Sequence, residues 1–158
     1  MQIKQFTSPS LTFKEHFIEF CERSKPMDFC EIPSRKLRRQ KILQYLSELS
    51  NSSKIYEAHE NEKFVFGAIF TESNNRVELE FGFGNFNSFY HHKIAEAWHE
   101  ILRSVFRDSP HKLVTSPLRR KYKGKSLLKW LQKYDKMCKI KKVNGQLIAT
   151  WNRNDWSN

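Results

Sequence analysis

The stretch GFGNFNSFYHHK, Gly82 to Lys93, sets two glycines at the end of an alternating apolar run, just before a segment with a helical apolar stripe. Strand, glycine and helix N-terminus in that order can hold a phosphate, because free backbone N–H groups and the helix dipole face the same anion. The same order also suits a strand-end bulge followed by an ordinary cap, with Asn85, Asn87 and Ser88 as cap residues. A second stretch is strongly basic: between Arg119 and Lys142 eleven lysines and arginines stand against the single acid Asp135. Arg119, Arg120, Lys121, Lys123 and Lys125 lack helical periodicity and read as an exposed cationic loop able to follow a phosphate chain. Tyr122, Trp130 and Tyr134 interleave with these charges, as in proteins that join phosphate contact to base stacking. Trp130 also falls at helical spacing with Leu127, Leu131 and Tyr134, which is the buried stripe of a short helix.

Other chemistries lack their residues. Cys21, Cys30 and Cys138 are scattered, with no C-x-x-C pair, and read as reduced thiols. His99-Glu100 begins like H-E-x-x-H, but Arg103 occupies the place of the second imidazole, so no metal is expected. Neither G-x-S-x-G nor a Walker loop is present. No apolar run approaches the roughly 20 residues of a membrane span, and MQIKQFTSPS lacks the apolar centre of a secretory signal, so a cytoplasmic location is expected. The formal net charge of +11 points to anionic partners: nucleic acid, an acidic protein or an anionic cofactor.

The elements that must position these residues follow from periodicity. With 158 residues, 39% of them hydrophobic, and no repeat or long linker, one domain over residues 1–158 is expected. Gln2 to Phe6 reads as a strand. Phe13, Phe17, Phe20 and Cys21 mark a helix after Ser8-Pro9-Ser10. A second helix begins near Pro33-Ser34, with Ile42, Tyr45, Leu46 and Leu49 inward and the charges of RKLRRQK, Arg35 to Lys41, outward. The period then changes to two: Lys54 to His59, Lys63 to Phe70 and Arg76 to Phe83 read as an antiparallel meander, the last with Val77, Leu79, Phe81 and Phe83 on one face and Glu78 and Glu80 on the other. Ile94, Ala97, Trp98, Ile101, Leu102, Val105 and Phe106 define a helix that Ser109-Pro110 closes. His111 to Ser116 is a strand and Ser126 to Tyr134 a short helix. Met137 to Val143 and Gln146 to Trp151 form a hairpin about Asn144-Gly145, both of which accept the positive φ of a tight turn.

This order of elements resembles the GNAT fold, that of the Gcn5-related N-acetyltransferases, over nearly the whole chain. The segment from Leu127 to Trp151 also resembles the C-terminal part of short GNAT-like proteins of tailed bacteriophages. The resemblance implies an α/β fold with a mixed, mainly antiparallel sheet flanked by helices, acetyl-CoA as cofactor and an amine as acceptor. It implies coenzyme A contacts from Phe83, Asn85, Asn87, Ser88, Phe89, Tyr90 and Lys125, although the family's Q/R-x-x-G-x-G/A loop is not matched. It makes Glu80 and Glu78 candidates for the base, while alternating charge also suits a solvent-facing strand. The family's acid tyrosine falls on Leu131, its asparagine on Gly124 and its glycine on Asp135; Tyr134, one turn further along, and Tyr122, upstream in the basic loop, are the tyrosines that could substitute if the local geometry differs, and Tyr134 is taken as the candidate acid.

Two functions follow. The first is a divergent, phage-type N-acetyltransferase-like protein with a depleted catalytic set. The second is a non-enzymatic basic module that binds nucleic acid or an acidic protein, a virion or host-takeover component if the chain is viral.

Overall fold

The computed structural model describes residues 1–24, 29, 31–118 and 124–156, with the backbone alone for 124–128. The elements are β1 (Gln2–Phe6), α1 (Leu11–Ser24), α2 (Arg35–Ser47), β2 (Ser53–Glu60), β3 (Lys63–Glu72), β4 (Val77–Gly84), α3 (Ile94–Asp108), β5 (Leu113–Leu118), α4 (Gly124–Tyr134), β6 (Lys139–Val143) and β7 (Gln146–Asn152). They form one sheet in the order β1-β2-β3-β4-β5-β7-β6, antiparallel at every junction except β4 with β5. The mixed, mainly antiparallel α/β architecture is the one expected.

Helices cover both faces of the sheet. Trp98, Ile101, Leu102 and Val105 of α3, with Leu131 of α4, pack on Tyr56, Ala68, Phe70, Val77, Val114 and Trp151. On the opposite face Phe13, Phe17 and Cys21 of α1 and Ile42 and Leu46 of α2 pack on Ile55, Ile69, Phe81 and Phe83. That second core is unusually aromatic and fits closely around one backbone position: a Cβ on Gly67 would stand 2.9 Å from Phe64 Cζ, 2.9 Å from Phe83 Cζ and 3.0 Å from Phe13 Cε2. Three packed rings cannot all move aside. Gly67→Ala is therefore expected to cost about 1–3 kcal/mol through overpacking, measurable by urea denaturation against wild type.

Arg38 departs from the expected outward charges of α2. Its guanidinium is buried, donates through Nε and Nη2 to Glu22 of α1 at 3.2 and 2.9 Å, and donates through Nη1 to the Ile32 carbonyl at 2.7 Å. Arginine's planar fork can join a carboxylate and a carbonyl at once, so it ties the two helices together. The Asn144-Gly145 turn, with φ of 50° and 80°, is the tight hairpin turn that the dipeptide predicts.

Candidate active site

Strands β4 and β5 run parallel, but they are paired only at Val77 with Val114 and Glu78 with Thr115. Beyond those residues each strand keeps its other neighbour: β4 stays on β3 through Gly84, and β5 stays on β7 through Leu118. The sheet therefore opens as a wedge whose two inner edges lack a strand partner. At its closed end one side chain reaches across, Ser116 Oγ donating to the Leu79 carbonyl at 3.5 Å.

The cause of the opening lies in β4. Phe70 pairs with Leu79 and Ile69 with Phe81, so Glu80 is an extra residue that has no counterpart on β3. Such a bulge bends the strand, sharpens its twist and reverses which face the following side chains occupy. This corrects the expectation of one apolar face: Val77 and Leu79 join the Trp98 core, whereas Phe81 and Phe83 join the Phe17 core. Glu80, half-buried, sits on the bulge where the wedge begins to open, and half-buried Glu78 lies on the last paired rung. Pro117 also belongs here, because a strand can carry a residue without an N–H where one of its edges is unpaired.

The turn after β4 is largely self-contained. The Asn85 N–H donates to the Val65 carbonyl at 2.8 Å, and Asn85 Nδ2 donates to the Phe64 carbonyl at 2.8 Å. The Asn87 N–H donates to Asn85 Oδ1 at 2.9 Å, the Phe89 N–H to Asn87 Oδ1 at 3.1 Å and the Tyr90 N–H to the Asn87 carbonyl at 3.0 Å. These bonds open a 3-10 turn over Ser88–Lys93, and α3 itself begins only at Ile94 with no side-chain cap. The glycines serve packing: a Cβ on Gly84 would lie 2.7 Å from Ile94 Cδ1, and one on Gly82 3.2 Å from Phe66 Cζ. Among residues 85–90, the N–H groups of Phe86 and Ser88 are the ones for which the described residues supply no acceptor.

The structure separates the remaining candidates. Phe83 is buried among Phe13, Phe17, Phe20 and Phe64, so only its backbone reaches the wedge. Ser88 and Phe89 are exposed, and Tyr90 packs partly on the α3 core. Arg119, Arg120, Lys121 and Lys123 lie outside the described residues, and Lys125 is placed by its backbone in the first turn of α4. Tyr134 lies on a different element from Glu80. It ends α4 beside Asp135, which is bonded to Trp151, and Trp151 pairs with Val114 at the joined end of the two strands. Tyr134 is 49% exposed.

Asp135 itself was not singled out from the sequence, yet it organises this end of the fold. Its Oδ2 accepts from the Trp98 and Trp151 indoles at 3.0 and 2.8 Å, and its Oδ1 accepts from the Met137 and Cys138 N–H groups at 3.1 and 3.2 Å, with His99 Nε2 at 3.4 Å. Burial pushes the carboxyl up, but the hydrogen bonds from His99, Trp151 and Trp98 more than offset it and hold it below the usual carboxylate range. The adjacent Cys138 thiol is pushed up to about 12, first by burial and then by the charge of Asp135, so it is an inert thiol and not a nucleophile. Among the described residues no three His, Cys, Asp or Glu side chains come together to hold a metal, and no helix is long and apolar enough to cross a membrane.

Solved structures of GNAT acetyltransferases match nearly the whole chain, so this mixed sheet with helices on both faces has the GNAT fold. One is PaiA N-acetyltransferase from Thermoplasma acidophilum in complex with coenzyme A, at 14% identity and a TM-score of 0.57 over 96% of this chain and 99% of that one. Another is a GNAT-family acetyltransferase from Staphylococcus aureus, at 11% identity and 0.61 over 96% and 99%. The aminoglycoside 6'-N-acetyltransferase from Enterococcus faecium matches at 9% and 0.59 over 97% of each chain. No protein-family model matches the sequence, and no curated protein matches it.

Proposed function

We propose that the protein is an N-acyltransferase that moves an acetyl group from acetyl-CoA to an amine, with a reduced catalytic set in which Glu80 is the base. The wedge carries this reading, because two strands anchored on their outer sides and parted on their inner sides leave backbone groups that need a partner. An arm that carries amides, such as that of coenzyme A, suits those edges. A structural neighbour was solved with coenzyme A, which supports the same ligand here.

Acetyl-CoA brings the acyl group as a thioester. Glu80 takes the proton of the attacking amine while the nitrogen bonds to the thioester carbon and the carbon–sulfur bond breaks. The departing thiolate takes its proton from solvent. The Phe86 and Ser88 N–H groups, Lys125 and the basic residues 119–123 are the donors offered to the cofactor's phosphates. That set is smaller than a glycine-rich loop provides, because Asn85 and Asn87 already occupy the neighbouring N–H groups.

Weak binding follows. Calorimetric titration with acetyl-CoA is expected to give a dissociation constant on the order of 10⁻⁴ M, about 5 kcal/mol of binding free energy. A thiol-release assay with simple primary amines is expected to give slow turnover. No heat and no thiol release at millimolar acetyl-CoA would overturn the reading.

A further inference from the structure

Among the described residues, the core between the sheet and α1 and α2 stops at β4. Its buried sheet residues are Ile55, Phe64, Ile69, Phe81 and Phe83, and none comes from β5, β6 or β7. Strand pairing carries that face of the sheet further. Glu78 of β4 pairs with Thr115 of β5, Thr115 with Thr150 of β7, and Thr150 with Lys139 of β6. Directly paired residues point to the same side of a sheet, so these four side chains form one row across it. Pro117, Ile148 and Lys141 form a second row beside the first. Their chain neighbours Val114, Ala149 and Trp151 point the other way, into the core under α3 and α4.

From β5 outward the rows become more open. Thr115 is buried, Pro117, Ile148 and Thr150 are half-buried, and Lys139 and Lys141 on the edge strand are exposed. The sheltered end holds half-buried Glu78, two residues before Glu80 on the bulge. Neither lysine has a carboxylate partner among the described residues, and Asp135, the only acid from 124 to 152, is bonded to indoles of the opposite face. Lysines on an edge strand also discourage pairing between copies. That role accounts for the charges, but not for the half-buried apolar pair Pro117 and Ile148 between them and the wedge. Three strand spacings separate β4 from β6, about 14 Å, or less by the reach of the lysine stems.

We propose that the acceptor lies on this face and that it is the N-terminal amine of a short acidic peptide, with the amine at Glu80 and an acidic side chain at Lys139 or Lys141. The inference rests on the acyl-transfer reading and names its acceptor. An extended peptide advances about 3.3 Å per residue, so acidic side chains at its third and fourth positions stand about 10–13 Å from the amine, which matches the span from β4 to β6. An α-amine, with an ordinary pKa near 8, is partly neutral at pH 7, so a carboxylate base suits it better than a lysine amine, whose ordinary value is near 10.4. The apolar Pro117–Ile148 floor would lie under the backbone between the two ends.

The test is thiol release by the full chain with acetyl-CoA and three peptide amides, Ala-Ala-Glu-Glu, Ala-Ala-Gln-Gln and Ala-Ala-Arg-Arg, beside a simple primary amine. At low salt kcat/KM is expected to be about fivefold higher for the Glu peptide than for the Gln peptide, through KM, and lowest for the Arg peptide. At about 0.5 M salt the preference is expected to fall below about twofold. Reversing Lys139 and Lys141 together to Glu is expected to invert the order, with the Arg peptide best. The same reversal at exposed Lys129 and Lys133 of α4, on the other side of the sheet, is expected to change each rate less than about twofold. If the double variant does not fold by circular dichroism, Lys141→Gln is read instead, with the Glu preference expected to drop about twofold. Turnover of the simple amine with equal rates on the three peptides would overturn this inference and leave acyl transfer standing. So would a Glu preference that the α4 variant loses and the β6 variant keeps. No thiol release from any acceptor would overturn acyl transfer, and this inference with it.

Discussion

Asp135→Asn is expected to lower the unfolding free energy by about 2–4 kcal/mol, the largest stability effect of a single isosteric change in this fold. The carboxylate accepts from two buried indoles through one oxygen and from two backbone N–H groups and His99 through the other. An amide has only one acceptor oxygen, so its NH₂ must face either the indole donors or the backbone donors. Both choices set donor against donor inside a buried site, and the junction of α3, α4 and β7 loses its tie. The wild-type bonds also predict a pH dependence. Because the folded carboxyl titrates below its ordinary value of 3.8, the contribution is fully present above about pH 4 and is lost as pH falls through the lower folded value. Denaturant titrations of wild type and Asp135→Asn are expected to draw together as pH falls below about 4. Parallel curves with a difference below about 0.5 kcal/mol would show that the cluster contributes little.

Glu80→Gln is expected to reduce the turnover number by about 10² to 10⁴ while leaving acetyl-CoA affinity within about twofold. The residue sits on the bulge where the wedge opens, whereas Glu78 lies on the last paired rung. A glutamine keeps the shape and the bulge, so a loss confined to turnover isolates proton removal from binding. Glu78→Gln is expected to change the rate less than about threefold. A full rate in Glu80→Gln would move the base elsewhere, to Glu78 or to water.

The order of elements was legible because periodicity and turn residues carry it. The stripe from Ala97 to Phe106, the Asn144-Gly145 turn and the meander from Ser53 to Gly84 all stand where their patterns place them. What was illegible depends on contacts distant in sequence or on backbone shifts that leave the pattern intact. Burial alternates along Val77–Gly84 without a break, so the bulge at Glu80 changes the face of Phe81 and Phe83 without disturbing the period. Asp135 looks like a lone acid in a basic run because its indole partners are 37 and 16 residues away. Arg38 is chemically like its exposed neighbours and differs only in that Glu22 and the Ile32 carbonyl meet it. Asn85 and Asn87 were legible as cap residues, but caps and phosphate ligands use the same N–H groups, and only the hydrogen bonds tell which use is made.

The most direct measurement is an amide-resolved NMR titration of the full chain with acetyl-CoA. If the wedge is the cofactor site, saturable shifts should appear first at Leu79 to Gly84, at Phe86 and Ser88, and at Ser116 and Leu118 across the gap, while β1 and β2 on the far side of the sheet stay unmoved. Shifts confined to other surfaces, or none at millimolar ligand, would contradict an acyl-CoA site between β4 and β5.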